Sequence, residues 1–175
     1  MKKSRGATLI ELVVVGSIFL SVMTALWMIY DATMAVERKV SLKVDLDREI
    51  FAAVRHVDAA LRASRLVQPA DWYNNPQPVD NISLLPLSVG SDGLPLLTAA
   101  GLPRFGNAFT ILFDKGELVR PDLKRRFAKL GANSQVTFLR SSQGMLQMRL
   151  KAEKTGFREQ TTSRDLTFQF CLFNQ

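Results

Sequence analysis

Few residues of this chain have types and spacing that can do chemistry. Glu11 is the first acidic residue, and it stands at the head of an apolar run. From Leu12 to Tyr30 there are 19 residues without a charge. Placing a carboxylate in hydrocarbon costs on the order of 2.5–3.5 kcal/mol even on the forgiving insertion scale, so Glu11 needs a purpose. His56 is the single histidine and Cys171 the single cysteine. One histidine gives no support to a Ser/His/acid set, and no zinc spacing, calcium loop or phosphate-binding glycine loop occurs. No cofactor and no metal are expected, and the chain does not read as an enzyme. His56 is expected to be a solvated side chain without a role. Cys171 lies in an alternating apolar run and is expected to be a buried small hydrophobe.

One segment can hold a ligand. Arg120-Pro121-Asp122-Leu123-Lys124-Arg125-Arg126-Phe127-Ala128-Lys129 is strongly basic. Lys124, Arg125 and Arg126 can hold phosphates, and the adjacent Phe127 can stack a base. The competing expectation is a short solvated helix. Asn81-Ile82-Ser83 is a glycosylation triplet of the kind that arises by chance. Asp71-Trp72-Tyr73 places two aromatics in a loop, where they are expected to cover the end of a core.

The elements that position these residues begin with the apolar run. As a helix, Leu12–Tyr30 is roughly 28 Å long, close to the hydrocarbon thickness of a bilayer. Gly16, Ser17, Ser21 and Thr24 are small enough for another helix to approach closely. Trp27 and Tyr30 lie at the far end, where amphipathic aromatics favour the interface. Lys2, Lys3 and Arg5 precede the run. Removing these three from the 23 basic residues leaves 20 against 16 acidic, so much of the net charge of +7 is a topology signal. Such residues stay on the cytoplasmic side of a span. A secretory signal peptide has a shorter apolar core and a small-x-small site. The tolerable site here, Thr33-Met34-Ala35, comes only after Asp31. A plain anchor fits the length and leaves Glu11 unexplained.

Residues Gly6-Ala7-Thr8-Leu9-Ile10-Glu11-Leu12 resemble the cleavage and methylation motif of the type IV pilin and type II secretion pseudopilin family. The resemblance implies cleavage between Gly6 and Ala7 by a prepilin peptidase, which then N-methylates Ala7. Glu11 is then the fifth residue of the mature chain and an assembly determinant. Ala7 stands where the family most often carries phenylalanine. Major pilins of the family often have a proline in the apolar half; its absence here points to a minor pilin or a pseudopilin. Asp45-Leu46-Asp47-Arg48 and Arg55-His56-Val57-Asp58-Ala59-Ala60-Leu61-Arg62 look most like the minor pseudopilin J and minor pilin W group.

No proline or glycine occurs between Ser17 and Gln68. The helix is expected to run on to Leu66–Gln68, because Pro69 disfavours helix in the residue before it. Val36, Val40, Val44, Phe51, Val54 and Leu61 form an apolar stripe flanked by Leu46, Ile50 and Val57, which calls for a partner packed against it. Lys43 and Asp47, four apart, are placed to pair.

Beyond Pro69 the period changes. Ile82–Val89 reads as a short strand that Pro86 demotes to an edge. Phe109–Phe113 and Leu118-Val119 flank Asp114-Lys115-Gly116-Glu117 as a hairpin. Val136–Leu139 and Met145–Lys151 form a second hairpin, with Leu146, Met148 and Leu150 on one face. In the last strand Leu166, Phe168, Phe170 and Leu172 alternate with Thr167, Gln169 and Cys171. A sheet with one apolar face needs a lid, and the amphipathic half of the helix supplies one. The expected fold is α+β and pilin-like: a long N-terminal helix, apolar stalk plus amphipathic half, on a small antiparallel sheet.

The expected organisation is a leader at 1–6, a transmembrane stalk helix at 7–35 and a globular domain at 36–175. With one cysteine, no disulfide within the chain can form. The resemblance implies a structural filament subunit in the inner membrane, leader cytoplasmic and C-terminal domain periplasmic. Its partners would be other pilin or pseudopilin subunits, the prepilin peptidase and methyltransferase, and the inner-membrane assembly platform. The alternative is a filament-tip subunit that binds DNA or another ligand through the basic segment.

Overall fold

The computed structural model describes residues 8–69, 77–142, 144–156 and 159–172. Asp71-Trp72-Tyr73, Gly6 and Ala7 lie outside the described residues. The chain divides into two compact units, Met1–Ser41 and Leu42–Gln175. One helix, α1 (Leu9–Arg62), supplies the described part of the first unit and the opening of the second. The rest is antiparallel β: β1 (Ser64–Gln68), β2 (Asn81–Pro86), β3 (Phe109–Asp114), β4 (Glu117–Arg120), β5 (Arg125–Lys129), β6 (Gln135–Ser142), β7 (Met145–Thr155) and β8 (Thr161–Cys171). The fold is α+β and pilin-like, a long N-terminal apolar helix whose second half packs on antiparallel sheet.

Two sheets carry the core. The first has the order β1-β2-β3-β4-β5 and the second β6-β7-β8. An antiparallel bridge links the segment ahead of β2 to β6: Val79 and Phe138 exchange backbone hydrogen bonds of 2.9 and 2.7 Å. Leu46, Ile50, Ala53, Val57 and Leu61 of α1 are buried, at helical spacings of three and four. They share a core with Ile82, Leu84, Ile111, Leu118, Phe138, Leu146, Met148 and Leu150.

The helix stops earlier than expected. Ser64–Gln68 is strand β1, paired with β2, with Ser64 and Leu66 buried. The Leu87 N–H donates to the Ala63 carbonyl just after the helix end. Pairing with a strand distant in sequence overrides the helical pattern there. Pro86 does not make an edge either. β2 lies between β1 and β3, and Pro86 is its last residue, where the loss of one ladder donor is tolerated.

The buried face of α1 also differs from the expected stripe. Val44 is 55% exposed and Phe51 67% exposed, and Val36 and Val40 are exposed in the first unit. The face that packs includes Ala53, whose small side chain completes the series from Leu46 to Leu61. The line through Val44 and Phe51 is left uncovered.

Both hairpins form where the turn residues place them. Lys115 and Gly116 take positive φ values of 47° and 82°, as a two-residue turn of the mirror-image type requires. A Cβ on Gly116 would collide with the Gly131 backbone, and one on Gly131 (φ 109°) with the Glu153 carbonyl. These two glycines fasten the β3–β4 turn to the connection between the sheets. Buried Ser134 completes that junction: its Oγ donates to the Leu130 carbonyl at 2.8 Å and accepts the Glu153 N–H at 2.9 Å.

In β8, Phe170 is buried, Phe168 half-buried and Leu166 37% exposed, and Leu172, the residue after the strand, is buried. Cys171 faces the opposite side and is exposed, contrary to the expected burial. Alternation decides it: burying Phe170 and Leu172 turns the residue between them outward.

Candidate functional site

Within the first unit, α1 is long and apolar enough to cross a membrane, and none of its apolar span is buried within the protein. Its hydroxyl-bearing residues satisfy themselves. Ser17 Oγ donates to the Val14 carbonyl, Ser21 Oγ to Ser17, Thr24 Oγ1 to Leu20 and Thr33 Oγ1 to Ile29, at 2.8–2.9 Å. These four hydroxyls are therefore satisfied inside the helix, an arrangement that suits hydrocarbon surroundings. A Cβ on Gly16 would meet nothing within 4 Å, so this position is an open notch on the helix surface. Trp27 and Tyr30 lie with ring centroids 6.3 Å apart at the far end of the uncharged run.

Glu11 sits in the first turn of α1. Its Oε2 accepts the Thr8 N–H at 2.8 Å, while Thr8 Oγ1 accepts the Glu11 N–H at 3.3 Å. This reciprocal arrangement is a capping box: Thr8 is the N-cap and Glu11 the third helical residue. Two backbone donors that the helix cannot satisfy are thereby satisfied, and the carboxylate lies at the positive end of the helix dipole. The Thr-x-x-Glu spacing at Thr8–Glu11 carries this signal in the sequence itself, beside the costly carboxylate that the apolar run makes conspicuous. The two readings of Glu11 are compatible. Capping uses one carboxylate oxygen, Oε2, and leaves the charge in place.

The basic segment does not form a helix beyond one 3-10 turn, Pro121–Leu123; Arg125–Lys129 is strand β5. Pairing with β4 extends it, and Lys124 takes a left-handed conformation (φ 50°) at the junction. The cations are partly committed. Arg120 Nη2 lies 2.9 Å from Asp122 Oδ2, and its guanidinium stacks 3.7 Å over the Phe109 ring. The hydrogen bond from Arg120 holds the Asp122 carboxyl below its ordinary range. Arg126 pairs with Glu117 at 3.1 Å. Lys124 and Arg125 remain exposed and, among the described residues, without an ion pair. Lys124 thus lies at the junction before β5 and Arg125 and Arg126 open the strand, but one of the three, Arg126, is already neutralised. Phe127 is not free to stack a base: it stacks on His56 at 4.7 Å, which places His56 against the sheet instead of in solvent.

The helix is fixed over both sheets by polar contacts that pattern reading did not supply. Asp47 pairs with Arg164 on β8, not with Lys43, and Glu49 accepts the Lys129 N–H of β5 at 2.8 Å. Among the described residues no cluster of three or more His, Cys, Asp or Glu is placed to hold a metal ion. Compared with protein-family models, with curated proteins and with solved structures, the chain matches none.

Proposed function

We propose that this chain is a structural subunit, of the minor kind, in a type IV pilus or a type II secretion pseudopilus. The observation that carries the proposal is one carboxylate, Glu11, at the head of a 19-residue uncharged helical run, five residues beyond Gly6. In this reading a prepilin peptidase cleaves between Gly6 and Ala7 and N-methylates Ala7. The leader is cytoplasmic and the unit Leu42–Gln175 periplasmic. The subunit is then drawn from the inner membrane into a filament through packing of α1 against other subunits, at an assembly platform. The physics of the step is charge compensation. A carboxylate poorly solvated in or near hydrocarbon meets the cationic amine of a neighbouring subunit's Ala7. Low local dielectric strengthens the attraction, and desolvation offsets much of it, so the larger effect is on axial register. The role is assembly, not catalysis.

Mass spectrometry of the N-terminal peptide from cells tests the reading. The expected product begins at N-methylated Ala7. An intact Met1 start, or cleavage after Ala35, overturns it. Gly6 replaced by a bulky residue is expected to leave unprocessed precursor in the membrane.

A further inference from the structure

We propose that the outer edge of β8 is a docking site for an extended segment of a different protein, one that alternates apolar residues and carries carboxylates. The two sheets have four edges, and three are obstructed. β5 carries Arg125, Arg126 and Lys129, and the Lys129 amide is taken by Glu49. β1 has a register break between Leu66 and Gln68 and runs into Pro69. β6 receives Val79 through the bridge at Phe138. β8 differs. It is 11 residues long, keeps an unbroken register with β7, and among the described residues pairs with no other strand. From Leu166 to Leu172 it has no charge, no proline and no bulge, the devices that keep an edge from pairing.

The ladder shows which groups are offered. The Leu172 N–H donates to the Gly144 carbonyl at 2.8 Å, continuing the β7–β8 register. Even-numbered residues of β8 therefore turn their backbone groups toward β7. Asp165, Thr167, Gln169 and Cys171 turn theirs to the open side. Side chains alternate as well. The even-numbered ones face α1, as the Arg164 contact with Asp47 shows. Phe168 and Phe170 border a groove whose other wall is Phe51, Val54, Arg55 and Asp58 of the helix. A strand laid along the β8 edge places every second side chain over this groove, so backbone pairing and apolar burial come from one occupant.

Charge selects the occupant. Arg55 lines this groove, and Arg48, two turns away, lines an adjoining one that shares Phe51 and Arg55 with it; neither arginine forms an ion pair among the described residues. The nearby carboxylates are occupied, Asp47 by Arg164 and Asp58 by Arg62. An incoming segment with Asp or Glu among its apolar residues is favoured. A second copy of this chain is not: two-fold pairing of β8 with β8 puts both helices on one side of the joined sheet and sets the arginine rows against each other. This inference rests on the second unit alone and holds whether or not the chain enters a filament.

The test is to pan a phage-displayed library of random twelve-residue peptides against the full chain in detergent micelles. Recovered peptides should alternate apolar residues and carry Asp or Glu. In synthetic form they should bind and slow amide exchange at Thr167 and Gln169. Thr167→Pro removes an outward donor without touching the β7 ladder, and Arg55→Glu reverses the rim charge. Each is expected to weaken binding by roughly tenfold or more while the fold, followed by circular dichroism, stays intact. Four results overturn the proposal: no enriched sequences; helical peptides that leave β8 exchange unchanged; binding indifferent to both substitutions; or self-association of the chain that Thr167→Pro abolishes.

Discussion

Asp47 and Arg164 meet across 117 positions of sequence in a two-point ion pair, Nε to Oδ1 at 2.9 Å and Nη2 to Oδ2 at 3.1 Å. The pair ties α1 to β8, while Glu49, two residues on, ties the same stretch of helix to β5. The helix is thereby held over both sheets, which the Val79–Phe138 bridge also joins. The hydrogen bond from Arg164 is the main cause that lowers the Asp47 carboxyl below its ordinary value of 3.8.

That shift fixes the sign of a pH dependence. A carboxyl with a depressed folded pKa contributes stability above its unfolded pKa and loses it as pH falls through the folded value. Asp47→Asn is therefore expected to melt lower than the parent chain at neutral pH. The gap should narrow below about pH 3.8. Thermal melts of both chains between pH 2.5 and 7 (a range set by the ordinary carboxylate pKa) check it. An unchanged gap across the range would show that the pair does not stabilise through charge.

Which face of α1 is packed can be decided by truncation. Leu61, buried in the core, should cost roughly 2–5 kcal/mol when changed to Ala. Phe51→Ala, at an exposed position, should stay within about 0.5 kcal/mol. Denaturant midpoints of the two variants measure this. The reverse order would restore the stripe through Val44 and Phe51 as the buried one.

Those two residues show what sequence pattern can and cannot settle. The hairpin at Lys115-Gly116 was legible because its chemistry is local: the turn demands positive φ and the flanking residues alternate. The Leu146, Met148 and Leu150 face of β7 was legible for the same reason. The choice of helix face was not. Two overlapping apolar stripes satisfy the helical period, and only packing on the sheets distinguishes them. Ser64–Gln68 continues the helical pattern, and its strand pairing is set by β2, more than a dozen residues away. The Asp47–Arg164 and His56–Phe127 contacts join segments with no sequence relation at all. Glu11 was legible as a costly carboxylate, and its capping role was written in the Thr8–Glu11 spacing.

Capping and charge at Glu11 can be separated. Gln serves at the third helical position of a capping box as Glu does, without the charge. Glu11→Gln is expected to be inserted and cleaved but to enter filaments poorly, and Glu11→Ala likewise. Glu11→Asp should be partly active, with its charge kept and its reach shortened. Thr8→Ala should lose about 1 kcal/mol of helix capping and still assemble. Sheared-filament fractions report the outcome. Wild-type incorporation of Glu11→Gln would leave capping as the only task of this side chain.

The glycines at the sheet junction should resist substitution. Gly131→Ala forces a Cβ into the Glu153 carbonyl at a positive φ, and Gly116→Ala does the same against Gly131. Each is expected to destabilise by about 1–3 kcal/mol. Gly144→Ala, where a Cβ meets nothing within 4 Å, is the control. Equal melts of all three variants would refute the close approach.

Any binding of DNA through the basic segment should be weak and gently salt-dependent. Lys124 and Arg125 are uncommitted, so the log–log salt slope should be no steeper than about −2. A fluorescence titration against a labelled oligonucleotide at several salt concentrations measures the slope. A value several-fold steeper would mean that Arg120 and Arg126 abandon their carboxylates for phosphate.

The bond from the Thr8 amide to Glu11 has a consequence for maturation. In the proposed processing, cleavage falls one peptide bond ahead of Ala7, and Thr8 becomes the second residue of the product. The capping box at the helix start is made by Thr8 and Glu11, and both stay in the product. Precursor and product therefore share this cap. The new amine arises one residue ahead of it, so proteolysis changes the charge at that end of the helix and leaves the residues of the cap in place.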